Sequence, residues 1–278
     1  MIRLPNFSAE AFFLEGKKGN LFALCYAPPH PIKGGILYIH PFAEEMNKSR
    51  RMAALQAREF ASLGFAVLMV DLYGCGDSQG DFSEASWALW QADIDVAYHW
   101  LQARTGSDPV LWGLRLGAML VLEYSQALRP ACTKILWQPV INGEIFLNQF
   151  LRLRLANDML SETQNKQTIR DLRALLAQGE TLEVAGYGLS RALSQDLDHF
   201  ALIDLTPEGQ VYWLDVVDEA QTETSPAAQK TQQTWLEKGV ALNSGVAVGE
   251  AFWSTPEITE CPDLLRATRA LFITHYSA

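Results

Sequence analysis

The chain alternates short apolar runs with longer stretches in which apolar residues recur every three or four positions. The short runs suit strands that are buried on both faces of a parallel sheet. They predict strands over residues 21–26, 35–39, 65–70, 109–112, 135–137, 210–217 and 240–248. The longer stretches predict helices over residues 49–63, 84–103, 116–128, 226–238 and 263–272. This order predicts an α/β fold with a mostly parallel sheet and helices on both of its faces.

The alternation stops between residues 142 and 205. This segment has helical periodicity, including a helix predicted over residues 169–177, and no clear strand. We therefore predict an α/β core made of residues 1–141 and 206–278, with residues 142–205 inserted as a helical lid.

The most informative motif lies between the apolar run before Gly113 and the Ala- and Leu-rich helix that follows. It reads Gly113-Leu114-Arg115-Leu116-Gly117. In everything but its central residue this is the Gly-x-Ser-x-Gly nucleophile elbow, a strained strand-to-helix turn. Small residues two places on either side of the centre let the strand and the helix pass closely, and Gly113 and Gly117 meet that need.

Two further loops fit the same fold. His40-Pro41-Phe42 follows the first long strand, where hydrolases of this fold place an oxyanion loop. Residues 71–78, Asp-Leu-Tyr-Gly-Cys-Gly-Asp-Ser, follow the next strand and resemble the Asp-x-x-Gly-x-Gly-x-Ser loop of the same superfamily. Three motifs in this order predict the α/β-hydrolase fold with a helical lid insertion.

The catalytic triad is incomplete at two of its three expected positions. Arg115 stands at the nucleophile position, and a guanidinium stays protonated and cannot attack a carbonyl. Asp218 follows the strand after the lid and is the candidate acid, with Asp215 inside that strand as the fallback; an ordinary turn residue is the alternative for Asp218. No histidine lies in residues 246–254, after the last strand. His40 has a predicted structural role, and the other histidines lie elsewhere: His30, His99, His199 and His275.

These losses predict a protein without ordinary serine-hydrolase activity. The alternative is an active esterase or acyl hydrolase that uses another nucleophile, for which Cys75 and Ser78 are the candidates. The N–H groups of Phe42 and Leu116 would form the oxyanion hole of an active relative.

Arg115 at a helix N-terminus favours a small anionic ligand such as a carboxylate or phosphate. The competing expectation is that Arg115 pairs internally with Glu44 or Glu45, because a buried arginine usually has a carboxylate partner.

The whole chain also resembles the exosortase A system-associated hydrolase 2 family. The resemblance rests on residues 40–47, 112–117, 136–140, 146–152 and 183–187. It implies a bacterial cytosolic protein encoded near exopolysaccharide and exosortase genes, and it names no substrate. A third hypothesis is therefore a binding or scaffold protein of the export system. Four arginines of the lid would form its partner surface, although such charges are also typical of a solvated helix face: Arg152, Arg154, Arg170 and Arg173.

The composition of the chain argues against several other classes of protein. A net charge of −10 argues against a nucleic-acid surface, and 278 residues suffice for one large domain. No apolar run reaches the roughly 18 residues of a membrane span, and residues 1–10 lack a signal-peptide pattern, so we expect a cytoplasmic protein. We expect no cofactor, because no phosphate-binding Gly-x-Gly-x-x-Gly opens the first βα unit. We expect no metal site either, because the cysteines form no Cys-x-x-Cys pair. The oligomeric state stays open. Four widely spaced cysteines predict reduced thiols: Cys25, Cys75, Cys132 and Cys261.

Overall fold

The strands and helices follow the predicted alternation. The computed structural model describes residues 7–29, 31–129, 131–160, 167–220 and 223–276. Its strands are β1 (Ser8–Glu15), β2 (Asn20–Ala27), β3 (Gly34–Ile39), β4 (Phe65–Val70), β5 (Val110–Leu114), β6 (Lys134–Trp137), β7 (Leu182–Val184), β8 (Tyr187–Leu189), β9 (Gln210–Val217) and β10 (Ala241–Val248). Its helices are α1 (Glu44–Ser62), α2 (Trp87–Thr105), α3 (Leu116–Leu128), α4 (Gly143–Leu160), α5 (Ile169–Gln178), α6 (Arg191–Asp198), α7 (Pro226–Glu237) and α8 (Pro262–Tyr276).

The main sheet has eight strands in the order β1-β2-β4-β3-β5-β6-β9-β10. Six neighbouring strands form parallel pairs: β4, β3, β5, β6, β9 and β10. Strand β2 pairs with β4 in the antiparallel direction. The mostly parallel sheet is therefore confirmed. The hairpin partner β1 was not predicted, because this edge strand is largely exposed and lacks a continuous apolar run.

Helices cover both faces of this sheet. On one face α2, α3 and α7 pack against strand residues such as Leu111. On the other face α1 and α8 pack around Trp112, whose ring lies 4.4 Å from that of Tyr38 and 5.6 Å from that of Phe60. The predicted helices on both faces are thus confirmed. No helix within the described ranges is long and apolar enough to cross a membrane.

The segment between β6 and β9 holds α4, α5 and α6 together with the hairpin β7–β8. The expectation that this segment contains no strand was wrong, because each strand of the hairpin has only three residues and too few alternations to register as a pattern. Arg173 fastens the three helices together: its Nε donates to Asn148 at 2.7 Å and its Nη1 to Asp198 at 2.8 Å. Arg173 therefore bonds within its own segment. It does not belong to the partner surface that the scaffold hypothesis predicted.

All four cysteines are buried free thiols, as predicted.

Two helix starts differ from the predicted ones. The first helix begins at Glu44, before the predicted residue 49, because the backbone of Ala43 turns sharply there (φ 48°, ψ −124°). The long helix predicted from residue 84 begins at Trp87, because Ser86 caps it with its hydroxyl accepting the N–H of Leu89.

A buried carboxylate on α2 generates the first testable prediction. Asp93 accepts the N–H of Tyr73 at 2.9 Å through Oδ2, while its Oδ1 has no hydrogen-bond partner among the described residues. Burial raises the pKa of Asp93 to about 6. The native state therefore holds this proton more tightly than the unfolded chain, so this group makes stability fall as the pH rises from about 4 to about 6.

The substitution Asp93→Asn should remove that fall and raise the free energy of unfolding by about 2 kcal/mol at pH 8, with little gain at pH 4. Urea denaturation at pH 4, 5, 6 and 8 measures this difference. The matched control, Asp95→Asn, changes a partly exposed carboxylate on the same helix and should leave the slope in place. If Asp93→Asn keeps the wild-type dependence of the free energy of unfolding on pH, another group causes that dependence.

Candidate functional site

The strand-to-helix turn at Arg115 has the backbone of a nucleophile elbow. Arg115 lies at φ 55° and ψ −119°, a region that costs a non-glycine residue on the order of 1–3 kcal/mol. Its N–H donates to the carbonyl of Trp137 at 2.9 Å, and its own carbonyl accepts the N–H of Val140 at 3.3 Å. These bonds hold the turn at the carboxyl ends of β5 and β6.

The two glycines of the motif are required by close contacts. A Cβ on Gly113 would lie 2.5 Å from the Cα of Ala118, and a Cβ on Gly117 would lie 2.3 Å from the carbonyl oxygen of Ile39. Both neighbours are backbone atoms, which cannot move aside easily. The predicted close passage of strand and helix is therefore present.

The Arg115 side chain pairs with the first turn of α1. Its Nε and Nη2 both donate to Oε1 of Glu45 at 3.1 Å, and the two side chains are 17% and 10% exposed. The rings of Trp253 and Phe146 lie 5.3 and 5.9 Å from the guanidinium. Burial raises the pKa of Glu45, and the charge of Arg115 acts against that rise. Of the two predicted partners Glu45 is the one used, since no ion pair joins Glu44 to Arg115 in the described part of the chain.

The space beside the oxyanion loop is filled by aromatic rings. Phe42 packs edge-to-face against Phe82 and Trp90 of the core at 5.2 and 6.1 Å. It also packs against Phe146 and Phe150 of α4 at 5.6 and 5.0 Å. Phe42, the predicted oxyanion donor, therefore packs against α4. The N–H of Leu116, the other predicted donor, opens α3.

His40 is held by two hydrogen bonds. Its Nε2 accepts the N–H of Leu72 at 3.2 Å, so its Nδ1 carries the proton and donates to the carbonyl of Pro41 at 2.7 Å. Burial lowers the pKa of His40 and keeps the ring neutral. With both nitrogens engaged, His40 links the oxyanion loop to the loop after β4 and is not free to act as a base.

The two candidate acids lie on β9 and just beyond it. Asp218 is exposed, and its Oδ1 accepts the N–H of Ala220 at 2.9 Å. Asp215 is 3% exposed and accepts Trp213 Nε1–H at 2.8 Å and the hydroxyl of Thr224. Burial raises the pKa of Asp215. No histidine bonds to either acid within the described ranges. The loop after β10 carries aromatic residues there, with Trp253 against Arg115.

Neither of the other two histidines that the structure describes with their side chains completes a triad. His99 is exposed on α2, where it contacts Gln102, and His199 is exposed after α6 with its Nδ1 bonded to the carbonyl of Gln195. His30 and the side chain of His275 lie outside the described residues.

The two alternative nucleophiles are both tied into the loop after β4. Cys75 is buried, and burial raises the pKa of its thiol well above the usual range, so the thiolate is disfavoured. Ser78 donates its hydroxyl to the carbonyl of Asp71 and accepts the N–H of Phe22 at 2.8 Å. Within the described ranges no group of three or more His, Cys, Asp or Glu side chains could hold a metal ion.

A cavity of about 250 Å³ opens beside the elbow at the carboxyl edge of the sheet. Its polar wall includes Arg115, Gln138, Asn142, Asp215 and Ser225. Gln138 has a positive φ of 41°, and its Oε1 accepts the N–H of Val216 at 2.6 Å. Gln138 was not predicted as a site residue, although its position directly after a buried parallel strand was a usable signal.

An open cavity of about 720 Å³ adjoins this one at Gln138, Asp215 and Ser225. Its outer rim carries further carboxylates: Asp218, Glu219, Glu223 and Glu250. The groove therefore has its guanidinium at one end and acidic side chains at the other.

Solved structures define the class of this fold. Est1E from Butyrivibrio proteoclasticus, solved with ferulic acid, superposes with a TM-score of 0.65 at 14% identity, covering 96% of this chain and all of that one (100%). A thermostable carboxyl esterase from Bacillus coagulans in complex with glycerol gives 0.64 at 16% identity, covering 98% of each chain. The protein has the α/β-hydrolase fold, as predicted.

The family follows from the sequence itself. The model of the family described as serine aminopeptidase, S33, matches residues 30–198. The match spans more than half of the chain, which therefore belongs to this family.

Curated relatives cover less of the chain. ABHD12B of Homo sapiens is 35% identical over 94 residues, which is 34% of this chain and 25% of that protein. Lysophosphatidylserine lipase ABHD12 of Rattus norvegicus is 32% identical over 133 residues, which is 46% of this chain and 31% of that protein. The matched part thus spans about a quarter to a third of the length of these relatives.

The glycine contacts generate a second prediction. Gly117→Ala should lower the free energy of unfolding by at least about 3 kcal/mol, because the new methyl group meets fixed carbonyl oxygens of β3 and the following loop. Urea denaturation measures the loss. Gly245→Ala is the control, since its Cβ would meet only the tip of Leu214 at 3.3 Å, and it should change stability by less than about 1 kcal/mol. Equal effects at the two positions would contradict the close-contact explanation.

The Arg115–Glu45 pair generates a third prediction. Arg115→Met leaves the Glu45 carboxylate buried and unpaired, and it should cost about 3 kcal/mol at pH 8. The cost should shrink as the pH falls and Glu45 takes up a proton. Adding Glu45→Gln removes the stranded charge and should restore at least about 1 kcal/mol.

Urea denaturation of the single and double variants tests this coupling. Arg266→Met breaks an exposed pair with Asp263 and serves as the control, with an expected change below about 1 kcal/mol. Strict additivity of the Arg115 and Glu45 changes would mean that the two side chains do not interact in solution.

Proposed function

We propose that this chain is a member of the serine aminopeptidase S33 family that lacks serine-hydrolase activity and binds a small molecule at the carboxyl edge of its sheet. The single observation that carries the proposal is Arg115 at the apex of a correctly formed elbow. The turn that presents a nucleophile in active relatives here presents a protonated guanidinium bonded to Glu45.

The surroundings of the elbow support this proposal independently. An acyl-transfer reaction needs a base beside its nucleophile and room for the substrate next to the oxyanion donors. His40 has both ring nitrogens occupied, and Trp253 stands near Arg115 on the loop after the last strand. Rings of α4 fill the space beside Phe42. Losing the nucleophile and the base together lowers triad catalysis on the order of a million-fold.

The alternative of another nucleophile has less support from the geometry. Cys75 is a buried thiol with a raised pKa, and the Ser78 hydroxyl already donates to a backbone carbonyl. Neither side chain has a histidine partner among the described residues. We therefore keep the active esterase as the hypothesis that the experiment below must exclude.

The ligand and the setting are also parts of the proposal. The bond to Glu45 engages Nε and Nη2 of Arg115 and leaves Nη1 for an anionic group of a ligand. Residues 142–205 act as a lid over this groove. The resemblance to the exosortase-associated family supports a bacterial cytoplasmic protein, and it also suggests the scaffold alternative, whose partner surface would include Arg152 and Arg170.

Fluorophosphonate labelling beside p-nitrophenyl butyrate hydrolysis tests the loss of activity. The wild-type protein should show neither labelling nor turnover above a heat-denatured sample. Arg115→Ser should stay equally inactive, because both ring nitrogens of His40, the histidine of the adjoining loop, are already hydrogen-bonded.

An active carboxyl esterase run in parallel shows that both assays work. Labelling that maps to Ser78 and disappears in Ser78→Ala, or ester hydrolysis that disappears in Cys75→Ala, would overturn the proposal and identify the nucleophile. Turnover by the wild-type protein that Arg115→Ser leaves intact would overturn it as well.

A further inference from the structure

The cavity of about 250 Å³ beside the elbow carries opposite charges on its walls. Arg115 lines it from the end of β5 and Asp215 from within β9. The other polar side chains that line the cavity, including Gln138, Asn142 and Ser225, are neutral. One small cavity therefore offers a hydrogen-bond donor with positive charge and an acceptor with negative charge to a single ligand.

The guanidinium of Arg115 is only partly used by its internal partner. Both of its bonds to Glu45 end on the same carboxylate oxygen, Oε1. Nη1 has no acceptor among the residues that the structure describes. The rings of Phe146 and Trp253 border the guanidinium, which fixes the direction of its free edge. Such an edge matches the geometry of a carboxylate or a phosphate group.

Asp215 is a buried carboxylate without a cationic partner in the described part of the chain. Its bonds come from an indole N–H of Trp213 and a hydroxyl of Thr224, which are both neutral. A carboxylate has about four lone-pair sites, so two bonds leave room for further donors. Burying an ionised group without a counter-charge is unfavourable, and an ammonium group of a ligand would supply that charge.

We propose that this cavity binds a small zwitterion, with its carboxylate or phosphate at the free edge of Arg115 and its ammonium at Asp215. This inference rests on the proposed function, because it requires that Arg115 binds a ligand and does not merely replace a nucleophile. The volume lies just below the range of about 300–1,000 Å³ that is usual for drug-sized ligands, so the zwitterion has few heavy atoms.

Isothermal titration calorimetry with the 278-residue chain tests the proposal. The probes are the straight-chain amino acids β-alanine, 4-aminobutyrate and 6-aminohexanoate, together with O-phosphoethanolamine. Hexanoate and hexylamine carry only one of the two charges and match the longest probe. The best zwitterion should bind at least tenfold more tightly than either of them. Preference for an amino acid or for the phosphoester identifies the anionic group.

Variants separate the two ends of the cavity. Asp215→Asn keeps the size of the side chain and should weaken zwitterion binding about tenfold while leaving hexanoate binding unchanged. Arg115→Met combined with Glu45→Gln should remove hexanoate binding and leave hexylamine binding unchanged. Asp218→Asn is the matched control, at an exposed acid of the outer rim, and should change zwitterion affinity less than threefold.

Three results would overturn the inference. The first is a zwitterion that binds no more tightly than the matched carboxylate or amine. The second is an equal effect of Asp215→Asn on all probes, and the third is no heat of binding from any probe at 10 mM. None of these results depends on catalysis. Fluorophosphonate labelling would refute the proposed function separately, even if the zwitterion bound as described.

Discussion

The close approach of α3 to the carboxyl ends of β3 and β5 is the constraint on which the site depends. A side chain at Gly113 or Gly117 would overlap backbone atoms of the neighbouring elements, so the helix can lie against the sheet only where both positions are glycine. That approach forces Arg115 to a positive φ, and bonds to Trp137 and Val140 hold it there. The elbow is thus a packing solution in its own right, and its geometry persists without a nucleophile.

Because the turn fixes where the central side chain points, an arginine there must find a counter-charge close by. Glu45 supplies it from the first turn of α1, where a carboxylate also interacts favourably with the helix dipole. The backbone at Ala43 has nearly the same dihedral angles as the elbow, φ 48° and ψ −124°. Two sharp strand-to-helix turns therefore bring Arg115 and Glu45 together.

The fold and the elbow were predictable because each depends on a local pattern. Buried parallel strands are continuous apolar runs, and the need for a glycine at position 113 follows from its contact with Ala118 in the helix that comes directly after the turn. β1 and the hairpin β7–β8 escaped prediction because one is largely exposed and the other is very short. The choice of Glu45 over Glu44 required the exact start of α1, which the apolar periodicity places too late.

Contacts between segments that are distant along the chain could not be predicted from the sequence. Trp253 lies 138 positions after Arg115, and nothing in the loop after the last strand marks it as a neighbour of the elbow. Phe146 and Phe150 have the spacing of an ordinary buried helix face, so their contact with Phe42 could not be inferred. Arg173 looked like a solvated charge because its partners, Asn148 and Asp198, come from two other helices.

Esterases of the same fold share the backbone architecture of this protein, whereas catalysis depends on particular side chains. At 14–16% identity the sheet and its helices superpose over nearly the whole chain, so the architecture tolerates wide changes in sequence. Catalysis requires more than the architecture: a nucleophile, a base and space for the acyl group at one point. At the elbow of this protein the guanidinium of Arg115 lies beside the indole ring of Trp253, and the phenyl rings of Phe146 and Phe150 pack against Phe42. Polar side chains lie in the neighbouring groove, where Arg115 and Asp215 line a common cavity.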